Sequence, residues 1–161
     1  MLNFEVFFKK LRIGEVYFDN FPNERLLRFK EKTYPLLLES VKTKDEGLLS
    51  DVLSVLFYDG ADFDFTDVLL KILNEDWHYS HEDIVEVLDL IKDPRSIEPL
   101  YKLIIEDDED EMKSLSKKCM YALRSINNAD SINKLKLLEE SDEEIIRENA
   151  SFLLEKIRTQ K

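Results

Sequence analysis

The chain has 161 residues with 35 acidic and 23 basic side chains, a formal net charge of −12, 43% hydrophobic residues, three glycines, four prolines and one cysteine. That length and apolar content suit one domain with a buried core and exclude a collagenous, disordered or disulfide-stapled chain. So few glycines and prolines cannot serve the many tight turns of an all-β sandwich, and they point to an all-α protein with short polar corners.

Apolar spacing predicts helices over 4–12, over 23–42 with a bend before Pro35, over 46–58 and over 65–75. The first of these places Glu5 within its apolar stretch and its lysines after it, the reverse of a signal peptide. No run approaches the ~20 apolar residues of a membrane span. The lone Cys119 has no intramolecular partner, so a reducing, cytoplasmic setting is expected. Further along, Ser80 precedes HEDIVEVLDLI with Asp83 three residues on, a capping-box-like pair. In DPRSIEPLYKLI, Asp93-Pro94 forms a corner and Ser96 is expected as N-cap, with Pro99 at N3, where a missing N–H costs no internal bond. Ser141-Asp142 opens the last helix, with Glu143 and Glu144 in its first turn and Lys156 and Arg158 near its end, as the helix dipole favours.

The C-terminal half repeats itself. Ile97, Leu100 and Leu103 recur 35 residues later as Ile132, Leu135 and Leu138. Leu115, Cys119, Ala122, Leu123 and Ile126 match Ile146, Ala150, Leu153, Leu154 and Ile157. One repeat earlier Ile84, Leu88 and Ile91 continue the pattern. A helix pair of this size cannot bury two faces alone, so consecutive pairs should stack into an α-α superhelix of about four pairs. Residues 61–161 carry the recognisable repeats and residues 1–60 the divergent N-terminal helices of one domain.

Asp93, Pro94, Arg95, Pro99 and Leu100 fit the D-P-R-x-x-x-P-L opening of a HEAT-like repeat of the phycobilisome-lyase type, which the stretch 80–158 resembles. The run Asp76-Trp77-His78-Tyr79-Ser80-His81-Glu82-Asp83-Ile84, continuing into Leu90 to Arg95, resembles small bacterial HEAT-repeat proteins encoded beside polymorphic toxins, including contact-dependent growth inhibition systems. That resemblance implies an immunity protein that binds a cognate toxin.

The acid is concentrated. Residues 59–111 hold 18 acidic and 4 basic side chains, while the flanking segments are close to balance. Crowding of like charge does nothing for stability, so it suits either solvated corners or a surface for a basic partner. Phe57-Tyr58-Asp59 and Phe63-Asp64-Phe65 interleave aromatic anchors with acids in the manner of a protein interface. The partner surface is therefore expected on Tyr58, Asp59, Asp62, Asp64, Asp67, Asp76, Trp77, His78, Glu82, Asp107, Asp108 and Asp110. Nucleic acid and anionic membrane are not expected as partners of so acidic a chain.

Catalytic equipment is sparse. His78 and His81 with Glu82 and Asp83 could chelate a metal, but a complete ligand set is not evident, and the alternative is that the imidazoles orient loop carbonyls while Trp77 packs at the corner. Cys119 lies on the apolar face of its helix, where a small inert thiol belongs. Phosphate loops, nucleophile elbows and zinc cysteine pairs are absent from the sequence. The expectation is a non-enzymatic, cofactor-free and metal-free protein, monomeric or in a 1:1 complex, that neutralises a basic, nuclease-type toxin by covering its active face. A general HEAT-like adaptor is the alternative, and a lyase-like or nucleic-acid enzyme on the same fold a further one.

Overall fold

The computed structural model describes residues 3–15, 27–106 and 111–159. All regular structure among them is helical: α1 (Phe4–Arg12), α2 (Lys30–Thr43), α3 (Glu46–Asp59), α4 (Thr66–Ile72), α5 (His81–Ile91), α6 (Ile97–Glu106), α7 (Ser114–Ile126), α8 (Ala129–Glu139) and α9 (Glu144–Thr159). Short 3₁₀ turns at Phe63–Phe65 and Pro94–Ser96 lead into α4 and α6. No helix among the described residues is long and apolar enough to cross a membrane.

The helices pack in sequence-adjacent pairs, α2 on α3, α4 on α5, α6 on α7 and α8 on α9. The second members also touch in series, α3 against α5, α5 against α7 and α7 against α9, while α6 contacts α8. This explains the composition of α5, whose Ile84, Val85, Val87, Leu88 and Ile91 are all buried, because it has neighbours on several sides rather than one. In α7 the buried set includes Ser116, Cys119 and Ala122, small side chains that admit close neighbours. The repeat positions read from the sequence lie in or against one core that runs from Leu37 to Ile157. A second cluster, Phe4, Phe7 and Phe29 against Val55, seats α1 on α3. Tyr17, Phe18 and Phe21 lie outside the described residues.

Several boundaries depart from expectation for identifiable reasons. The helix expected over 23–42 begins at Lys30; residues 23–26 are outside the described set, and Leu27 has φ 50°. The start is fixed from afar: Asp59, at the end of α3, accepts Leu27 N–H on its carbonyl at 2.9 Å and Phe29 N–H on Oδ2 at 2.8 Å. Ser96 is not an N-cap. Asp93 accepts Arg95 N–H at 2.9 Å and opens the 3₁₀ turn, and the Ser96 hydroxyl is buried without a hydrogen-bond partner. Ser80 does sit at the N-cap position of α5 but its side chain makes no cap bond. The capping box lies instead at Asn128, whose side chain takes Ser131 N–H at 2.8 Å while Ser131 Oγ takes Asn128 N–H at 3.1 Å.

With so few glycines, non-glycine residues close the helices in the left-handed conformation: Lys44 after α2 (φ 53°), Lys92 after α5 (φ 57°) and Asn127 after α7 (φ 50°). A Cβ is disfavoured there. Lys44→Gly and Lys92→Gly should therefore each stabilise the fold by about 0.5–1 kcal/mol, less a small loss of favourable charge at the helix end. Thermal melting of the single and double variants checks this; an unchanged or lowered midpoint in both would show that the αL penalty is already relieved.

Candidate partner-binding groove

The most structured part of the acidic middle third is the connection from α3 to α4. It leaves α3 through Gly60, at φ 100° and ψ 164°, a conformation for which a side chain would be strained. Asp62 then caps the 3₁₀ turn, its Oδ1 accepting Asp64 N–H at 3.2 Å. Phe65 is buried, with its ring centroid 5.3 Å from that of Tyr34 in an edge-to-face contact. Phe63, two residues earlier in the same turn, is left 54% exposed.

Two cations organise the carboxylates around this turn. Lys30, in the first turn of α2, donates to Asp62 Oδ2 at 2.5 Å and to Asp64 Oδ2. Arg95, in the turn before α6, makes a wider set of bonds. Its Nε and one terminal nitrogen donate to Asp93 Oδ2 at 2.8 and 2.5 Å, its other terminal nitrogen donates to Asp67 Oδ1 at 2.6 Å, and the Phe63 carbonyl accepts at 2.8 Å. Arg95 thus ties the α3–α4 connection to the start of the next helix pair. Between these two cations runs an open groove of about 760 Å³, lined by Lys30, Glu31, Tyr34 and Pro35 of α2, by Phe63, Asp64 and Asp67, and by Arg95.

The groove keeps an acidic balance, because Glu31, Asp62, Asp64, Asp67 and Asp93 surround only Lys30 and Arg95. The hydrogen bonds that Lys30 donates to Asp62 and Asp64 hold its pKa above the ordinary value, and those that Arg95 donates to Asp93 do the same for Arg95. Burial pushes the Asp93 carboxyl up, but the side-chain and backbone bonds from Arg95 outweigh it and leave the net shift downward.

The expected surface residues separate into different places. Asp62, Asp64 and Asp67 come together at the groove. Asp59 leaves the surface: it is 6% exposed and is spent on anchoring the segment before α2. Tyr58 lines another crevice, of about 160 Å³, with Leu53, Ser54, Phe57, Asp83 and Glu86. Glu82 belongs to this second place, joined with Glu86 to Lys118 of α7, which bonds Glu82 at 2.9 Å. Burial works against the Lys118 charge, yet Glu86 and Glu82 raise its pKa on balance. Asp107, Asp108 and Asp110 lie outside the described residues.

Asp76, Trp77 and His78 occupy the α4–α5 corner, at the opposite end of α4 from the groove. Asp76 is exposed, but Trp77 packs against the core and His78 is buried. His78 Nε2–H donates to the Ile72 carbonyl at 2.9 Å and its Nδ1 accepts Ser80 N–H at 3.1 Å, while His81 Nδ1–H donates to the Leu73 carbonyl at 2.8 Å. The two imidazoles therefore satisfy the carbonyls at the end of α4, which is why that helix stops at Ile72 rather than reaching residue 75. Tyr79, which is not among the expected surface residues, is the aromatic that faces solvent here, at 89% exposure.

Lys30, Tyr34 and Arg95 were likewise missed as site residues. Nothing in the local pattern of α2 places it beside residues 62–67. The pairing of Asp93 with Arg95 was visible only as a repeat motif. Cys119 is wholly buried, and among the described residues no three histidine, cysteine or acidic side chains are grouped as a metal site. In comparisons with known protein families, with curated proteins and with solved structures, no match to this chain is found.

Proposed function

We propose that the chain is a HEAT-like α-α superhelix acting as an immunity protein: it binds a cognate, basic, nuclease-type bacterial toxin in the cytoplasm and covers its active face. The groove beside Phe63 carries this reading. It joins a half-exposed aromatic ring to carboxylates in excess of their internal cations. An aromatic anchor within a charged rim is the arrangement by which protein inhibitors combine residence time with fast, steered association. The serial contacts of α3, α5, α7 and α9 support the superhelix, since stacking through one helix of each pair is how such repeats bury their second face.

The chain acts by occupancy rather than by catalysis. The groups that would serve as nucleophile or base have structural employment: Cys119 in the core, and His78 and His81 on the carbonyls of α4. Neither a cofactor nor a metal has a part in this mechanism, and the complex is 1:1.

Co-expression tests it. The chain should protect bacteria from the toxin encoded next to its gene and from no unrelated nuclease, because specificity comes from a few anchors and not from net charge. Equal protection against several basic nucleases would mean charge masking. Failure to protect against, or to bind, the neighbouring gene product would move the function to a general adaptor.

A further inference from the structure

Lys30 and Arg95 both sit on carboxylates of the groove, but they are held very differently. Arg95 is fixed by its fork on the nearly buried Asp93, by Asp67 and by the Phe63 carbonyl. Among the described residues Lys30 is held by Asp62 and Asp64, whose side chains are 33% and 69% exposed. A lysine on a flexible stem, paired with one exposed and one half-buried carboxylate, gives them up more readily than a forked arginine on a buried one.

We infer that Lys30 is an intramolecular stand-in for a cation of the partner, and that the partner element seated in the groove is an arginine-bearing basic segment whose guanidinium displaces Lys30 from Asp62 and Asp64. The half-exposed Phe63 lines the groove together with Asp64, and Asp64 shares Lys30 with Asp62. A guanidinium uses both features at once, since its planar fork meets carboxylates in two parallel bonds and its face stacks on an aromatic ring. An ammonium does neither so well. Arginine rather than lysine is the predicted anchor. Tyr34 and Pro35 on the α2 side offer apolar wall for the methylenes of the incoming side chain.

This inference rests on the reading of the groove as the partner surface, and two separate readouts keep the two apart. The probes are a pair of otherwise identical short peptides carrying three arginines or three lysines, titrated at low salt by NMR. The arginine peptide should bind more tightly and shift the resonances of Phe63 and Asp64. Lys30→Met should strengthen its binding about three- to fivefold, the scale of one exposed ion pair removed, whereas Lys136→Met, the same charge change at an exposed position on α8, should do less. Phe63→Ala should abolish the preference for arginine. The inference is overturned if Lys30→Met weakens binding, leaves it unchanged or acts no differently from Lys136→Met, or if the two peptides bind alike. Toxin protection by the wild-type chain under any of those outcomes would leave the immunity reading standing. Conversely, a clear arginine preference without protection would remove that reading and retain the anchor.

Discussion

Asp93→Ala should lower the unfolding free energy by about 2–4 kcal/mol, from the loss of an N-cap together with a nearly buried, hydrogen-bonded charge. One oxygen of Asp93 caps Arg95 N–H at 2.9 Å and the other receives two bonds from the guanidinium. Without them the turn before α6 loses its start signal and Arg95 keeps only Asp67 and the Phe63 carbonyl. Asp93→Asn retains a capping oxygen but not the charge, and should cost less.

Acid adds a signature. Because the folded-state pKa of Asp93 lies below its ordinary value, its contribution is full above the unfolded pKa near 4 and is lost as pH falls through the folded value. Denaturant titrations of wild type and variant should therefore converge as pH drops from about 5 towards 2. Only the difference between the two proteins is diagnostic. Asp51 and Asp83 are shifted the other way, each mainly by burial, and bind protons more tightly when folded. A stability gap that stayed constant in acid would refute the assignment.

The second large effect is expected at the α4–α5 corner. His78→Ala should cost about 2–4 kcal/mol, since it leaves the buried Ser80 N–H unpaired, removes one of the two hydrogen bonds on the Ile72 carbonyl and opens a cavity. Trp77 meets this imidazole in an edge-to-face contact, with centroids 4.7 Å apart at 82°. Urea denaturation followed by Trp77 fluorescence gives the measurement. Toxin affinity, measured where the variant remains folded, should be unchanged. A variant of full stability that had lost affinity would restore His78 to the interface.

The fold was readable wherever one helix carried its own signal. The 35-residue spacing of Ile97, Leu100 and Leu103 with Ile132, Leu135 and Leu138 found α6 and α8, because periodicity records burial directly. Starts and stops were less readable because distant groups set them: Asp59 fixes the beginning of α2 across 30 residues, and His78 and His81 end α4 from beyond it. Asp93 was seen as part of a motif, but its role went to Ser96 because both residues are good caps and sequence alone does not choose between them.

At the site, composition located the acidic loop but not its partners. Asp62, Asp64 and Asp67 stood out by crowding, whereas Lys30 and Tyr34 lie in a helix whose pattern says only that it is amphipathic. Aromatic residues misled in the opposite sense. Trp77 drew attention by rarity, yet a large ring beside a buried histidine is a packing element, and among the described residues of the acidic segment 59–111 the exposed rings are Phe63 and Tyr79. Lys113 is buried and bonds Glu143 at 3.2 Å, so reversing its charge would report on stability and not on a basic face.

The co-expression assay becomes the most direct test when it is run with Phe63→Ala, Asp64→Asn and Asp67→Asn combined, beside purified-complex kinetics. All three side chains are exposed, so the variant should remain folded. Protection against the neighbouring toxin should be lost, with slower association, a flatter salt dependence and at least tenfold weaker binding from loss of one anchor and its charged rim. Undiminished protection by this variant, together with loss of protection when Lys117 is reversed to glutamate in a chain that stays folded, would place the interface on α7 against an acidic partner and contradict the account.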